Sequence, residues 1–246
     1  MKYTYKIEVP YQETDASRHW RLYNMENTLL NVASKVANEL GFGVKQLLPY
    51  GYTWIISRMD IEMQKIPVHG DSLTVETWIE RNAHMLSTRN YRIYMGKDTS
   101  GELIGQAASV WAVLDLQTRQ VVNAFDLPIF KDCVDGEELN MTRVQRMLPM
   151  KEVEAVYTSK VKYSDVDYNG HCNSCKYLEN MMNVYRPSFL EKGGAMRLTI
   201  SYSKEMREGD TYMVKFIDTD NSCQWQIVTG TGEVSASARL TNEIQR

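Results

Sequence analysis

Between Tyr163 and Tyr177, Asp165, Asp167, Asn169, His171 and Asn173 occupy alternate positions, just ahead of a segment with helical apolar spacing. A carboxylate and an imidazole can move protons near neutral pH. An amide and the N–H groups of a helix start can hold a developing oxyanion. Asp and Asn are also favoured in turns and caps, the role expected for Asp165 and Asn173. His171-Cys172-x-x-Cys175 supplies no fourth ligand and no second C-x-x-C, so no metal and no cofactor is expected.

The elements that must position these groups occur twice. Tyr11, Asp15 and His19 superpose without a gap on Tyr163, Asp167 and His171, and Gly70-Asp71 matches Gly209-Asp210. In this alignment Ser17 stands for Asn169 and Ile66 for Glu205, so the second copy holds two polar groups that the first lacks. Glu205 reads as a carboxylate on a strand facing a core, which is costly unless paired. Leu22, Met25, Leu29, Ala33, Val36 and Leu40 form one helical stripe, ended by Gly41. The second stripe, Tyr177, Met181, Val184 and Tyr185, is shorter and stops before Pro187. Strand-like runs follow each helix: 53–63, 73–80, 87–94 and 103–116, then 197–204, 212–217, 224–229 and 232–240, several with alternating apolar residues.

Helix followed by antiparallel sheet, twice, predicts an α+β tandem (double) hotdog, each unit a long helix wrapped by an antiparallel β-sheet. The expected division is residues 1–134 as an N-terminal hotdog holding an apolar pocket, 135–154 as linker, and 155–246 as the C-terminal, catalytic hotdog. The length of 246 residues allows this. A net charge of -3 gives no basic field for nucleic acid. No apolar run spans a bilayer, and the first residues alternate like a strand rather than a leader, so no membrane insertion and a cytoplasmic location are expected.

The pattern D-x-N-x-H-x-N followed by Lys176-Tyr177 resembles the active-site segment of the acyl-acyl carrier protein (acyl-ACP) thioesterases, the plant-type fatty acyl hydrolases. Trp54-Ile-Ile-Ser-Arg-Met59, Pro67, Gly70-Asp71, Thr77-Trp78, Ser109-Val-Trp111, Asp115-Leu-Gln-Thr-Arg119 and Tyr202-Ser-Lys-Glu205 extend the resemblance over nearly the whole chain. It implies Asp167, Asn169, His171 and Glu205 as catalytic residues. It also implies hydrolysis of acyl-ACP to free fatty acid and holo-ACP, ending chain elongation in fatty acid biosynthesis. Where that family often has a Cys after the Glu, this chain has Met206, which cannot be a thiolate nucleophile. The short N-terminus suggests a bacterial member. Asp167 is expected either to activate water or to attack directly.

Met25, Leu29, Leu30, Trp54 and Ile56 are candidates for binding an acyl chain. Arg143, Arg146 and Lys151 are candidates for contact with the acidic carrier protein. An acyl-CoA thioesterase, a dehydratase on the same fold and a non-enzymatic acyl-ACP binding protein remain as alternatives, and the protein is expected to be a monomer or homodimer.

Overall fold

The computed structural model describes residues 1–141, 147, 149–150 and 152–243. The first half runs β1 (Tyr3–Glu8), α1 (Leu22–Glu39), the one-turn α2 (Val44–Leu47), β2 (Tyr52–Met63), β3 (Ser72–Ala83), β4 (Leu86–Met95), β5 (Leu103–Asp115) and the short β6 (Val121–Val122). The second runs β7 (Tyr157–Lys160), α3 (Ser174–Val184), β8 (Met196–Tyr202), β9 (Thr211–Thr219), β10 (Ser222–Thr229) and β11 (Val234–Thr241).

The strands form one antiparallel sheet in the order β1-β3-β4-β5-β2-β8-β11-β10-β9-β7, with β6 on the side of β5. Read inward from either edge, the two halves have the same strand sequence. They meet where β2 pairs with β8, from Arg58 opposite Ser201 to Met63 opposite Met196. Pairing two half-sheets this way gives each an interior neighbour and removes two open edges.

Every strand-like run of the sequence is a strand, with ends shifted by a few residues. β7 was not among those runs. Its four residues are mostly exposed, so it carries no alternating burial signal. It nonetheless occupies, at the outer edge of its half-sheet, the place that β1 occupies in the first.

The apolar stripe of α1 packs Leu22, Met25, Leu29, Val32 and Ala33 in one core with Met59, Ile61, Val75, Tyr91 and Ile93 of its sheet. Tyr177, Leu178 and Met181 of α3 join the same core against Leu198, Ile200, Val214 and Trp225. Eighteen residues of α1 against eleven of α3 leave the first helix with a longer flank. Trp54, Phe125 and Phe130, packed ring on ring, add a smaller cluster with Ala37 and Phe42. This is the predicted tandem arrangement of helix and wrapping sheet.

Candidate active site

The segment before each helix folds as the same knot of hydrogen bonds. In the second copy Asp167 N–H donates to His171 O (2.8 Å), Cys172 N–H to Met206 O (2.7 Å) and Asn173 N–H to Asp165 O (2.8 Å). In the first, Asp15 N–H donates to His19 O (2.9 Å), Trp20 N–H to Pro67 O (2.8 Å) and Arg21 N–H to Glu13 O (2.9 Å). The turn needs one residue with positive φ: Gly170 at 76° in the second copy, and Arg18 at 68°, against its preference, in the first. Each Gly-Asp pair closes the neighbouring turn alike, with Asp71 Oδ2 accepting from Val68 N–H (2.9 Å) and Asp210 Oδ2 from Arg207 N–H (2.7 Å). The repeat read in the sequence is thus a repeat of backbone geometry.

The copies differ where chemistry is possible. Asp15 Oδ2 is held by Arg186 at 3.1 Å, while its Oδ1 accepts from the N–H groups of Ser17 and His19. Asp167 Oδ1 accepts likewise from Asn169 N–H (2.8 Å) and His171 N–H (3.3 Å). Its Oδ2, however, meets among the described residues only the Asn169 amide, at a long 3.4 Å. Asp167 is therefore fixed by one oxygen and has the other available. Across the site, His171 Nε2 lies 3.4 Å from Glu205 Oε2, which also receives the Arg119 guanidinium.

Glu205 is not on a strand facing the core. β8 ends at Tyr202, where the N–H groups of Ser203 and Lys204 both turn to Ser235 O. Glu205 then sits in the following loop with its side chain 44% exposed. Its charge is met by Arg119, in the β5–β6 turn of the first half. Sequence reasoning missed Arg119 as a site residue. The turn Asp115–Arg119 was visible, but its distance from Glu205 along the chain was not informative.

Asn173 caps α3, its Oδ1 accepting from Cys175 N–H at 3.0 Å, and Asp165 Oδ2 accepts from Lys162 N–H. These are the cap and turn roles expected. From Asn173 to Lys176 the backbone N–H groups have acceptors, except that of Ser174, which has none among the described residues. Burial pushes the Cys172 thiol up to about 12 and Cys175 higher than its ordinary value, so both are protonated apolar fillers. Among the described residues no three His, Cys, Asp or Glu side chains cluster as metal ligands.

Asp167, Asn169, His171, Ser174, Glu205 and Arg119 all line one cavity of about 530 Å³. From there it runs along the flank of α1 between Asn27 and Ala37 and over β2, β4 and β5. Leu30, Trp54 and Ile56 line it, as does Trp111. Residues 53–57 of β2 all border it, and the strand bulges at the end of this run, between Ile56 and Arg58. Met25 and Leu29 do not line it. They are completely buried in the core with the residues of the sheet, which gives them a packing role in this structure. Arg143, Arg146 and Lys151 lie outside the described residues.

Two hotdog units joined in one sheet, with a polar loop opening on a shared cavity, define a tandem hotdog protein. The chain belongs to the acyl-ACP thioesterase family. The model of that family's N-terminal domain matches residues 1–127, and that of its C-terminal domain matches residues 149–243. Among solved structures, an acyl-ACP thioesterase from Bacteroides thetaiotaomicron superposes with a TM-score of 0.87 and 27% identity, covering 98% of each chain. The 12:0-ACP thioesterase of Umbellularia californica shares the fold, with a TM-score of 0.80 at 18% identity over 99% of this chain and 98% of its own. A chloroplastic acyl-ACP hydrolase of Cuphea viscosissima is 26% identical over 68% of this chain and 42% of its own length. The oleoyl-ACP thioesterase 2 of Arabidopsis thaliana is 23% identical over 98% of this chain and 70% of its own. The chain thus spans about half the length of several of the curated relatives it matches. No helix of the described residues is long and apolar enough to cross a membrane.

Proposed function

We propose that the protein hydrolyses fatty acyl-ACP to free fatty acid and holo-ACP in the cytoplasm of a bacterium. One observation carries this reading. The oxygen that Arg186 occupies on Asp15 is available on Asp167, and Asp167 shares its cavity with an imidazole and a second carboxylate. In the proposed division, residues 1–134 hold the acyl chain, 135–154 link the halves, and 155–246 bring the reacting groups.

Asp167 acts as general base for water or attacks the thioester carbon directly. The Ser174 N–H and the Asn169 amide are the donors left to hold the oxygen that becomes negative. His171 hydrogen-bonds the reacting centre or protonates the departing sulfur. Glu205, held by Arg119, orients His171. Leu30, Trp54 and Ile56 line the path of the chain. The phosphopantetheine arm enters past the loop of Asp167, and Arg143, Arg146 and Lys151 meet the carrier protein. No metal or cofactor is assigned a step.

The test is a length ladder of acyl-ACPs with free fatty acid as readout and Asp167→Ala alongside. Release that collapses by about a hundredfold or more in the variant, with unchanged melting, supports the reading. No release from any acyl-ACP by folded protein overturns it. Equal rates on acyl-ACP and acyl-CoA would remove the carrier protein from the proposal.

A further inference from the structure

The inner face of β4 carries Ser87, Arg89, Tyr91 and Ile93 in alternation. Tyr91 and Ile93 belong to the core, while Ser87 and Arg89 line the cavity. Arg89 is only 4% exposed. Its hydrogen bond among the described residues runs from Nη1 to Thr77 Oγ1, at a long 3.4 Å. The charged or ionisable groups that bear on it are Tyr5, Tyr91 and Cys133, none a carboxylate, and burial lowers its pKa. The comparison with Arg197 is direct, because that buried guanidinium meets Asp60 (3.5 Å) and Glu62 (2.9 Å). Thr53, also lining the cavity and 6% exposed, has no partner for Oγ1 among the described residues. Around them the lining mixes the apolar Ala33, Ala37, Ile79 and Leu86 with the neutral polar Asn31, Ser34 and Ser87, none of them a counter-charge.

A guanidinium taken out of water without a counter-charge is strongly penalised. Hydrocarbon pushed against it would displace its remaining water and return no hydrogen bond. An oxygen brought to the same place would return one, strengthened by the charge.

We infer that Arg89 is a specificity-determining residue that makes the cavity select acyl chains carrying an acceptor oxygen (hydroxyl, oxo or carboxylate) at the depth of β4, over plain hydrocarbon of equal length. The inference rests on the hydrolase reading above and names the substrate class of that same site.

Matched ladders of alkanoyl-, ω-hydroxyalkanoyl- and ω-carboxyalkanoyl-ACP test it, with wild type, Arg89→Met and Arg89→Lys compared by kcat/KM. Wild type should favour an oxygenated chain by about tenfold or more at its best length. Arg89→Met should lose that preference and accept longer plain chains, and Arg89→Lys should keep part of it. A hydroxyl arm alone, or a carboxylate arm alone, identifies which oxygen is read. Plain chains hydrolysed as well as oxygenated ones at every length by wild type would overturn the inference while leaving the hydrolase reading intact. Hydrolysis of no thioester would overturn both. Should Arg89→Met fail to fold, as shown by its melting curve, wild type and Arg89→Lys decide the matter by the same ladders.

Discussion

Two acids on this chain have opposite surroundings, and each yields a prediction. Asp167 keeps an oxygen available beside polar neighbours. Asp167→Asn preserves shape and the two backbone hydrogen bonds to Oδ1 but removes the base or nucleophile. It should lower kcat by about a hundredfold or more at unchanged melting temperature, measured on the best acyl-ACP. Glu26 on α1 is completely buried, with Tyr202 O–H bonded to one oxygen and no partner for the other among the described residues. Burial raises its pKa from an ordinary 4.5 to about 8. Its folded pKa is raised, so the folded state favours the neutral acid. Stability from this proton is complete below about pH 4.5 and is lost as pH rises through about 8. Denaturant unfolding of wild type should therefore show stability falling across that window by up to a few kcal/mol, and Glu26→Gln should flatten the slope. An equal slope in both proteins would disprove the assignment.

At the scale of elements, the two faces of α1 separate packing from substrate contact. Met25→Ala should cost about 2–5 kcal/mol of stability, as a buried truncation does, and leave the acyl-length profile unchanged. Leu30 lines the cavity, so Leu30→Ala should shift that profile toward longer chains at smaller cost in stability. Denaturation and the ladder assay together distinguish the two. The N-cap of α3 is a second element-scale case. Asn173→Ala should cost about 1 kcal/mol and also lower kcat, because the cap holds the Ser174 N–H in place. A loss of stability with full activity would remove that N–H from the oxyanion site.

The whole molecule is held at the β2–β8 seam. Met59, Ile61 and Met63 on one side, and Met196, Leu198 and Ile200 on the other, are buried there with the paired backbones. Arg197 ties to Asp60 and Glu62 across the same seam. Residues 1–134 or 155–246 produced alone would expose a long apolar strand edge. Size-exclusion chromatography should find each fragment associated or aggregated, while the full chain unfolds in one transition. A monomeric, folded fragment would contradict this. The ion pair of Arg119 with Glu205 adds a dependence of the second half's site on the first.

Much of this was legible in the sequence. Alternation marked the strands, the three- and four-residue stripe marked α1, and the doubled Tyr-Asp-His and Gly-Asp patterns marked the repeat. These are local signals, set by backbone sterics and by which side chains shun water, and they survive without knowledge of partners. The chemical types at Asp167, Asn169 and His171 were legible for the same reason, since they lie within one turn. The tertiary structure alone decided the rest. It put Glu205 in a loop beside Arg119 rather than on a core-facing strand. It turned Met25 and Leu29 to the sheet and Leu30 to the cavity, and occupied Asp15 with Arg186 while leaving Asp167 available. It also buried Arg89 without a carboxylate partner among the described residues. Each of these depends on a contact between residues far apart in the chain, and the distance in space between two such side chains is written in the packing of the elements, not in their spacing along the sequence.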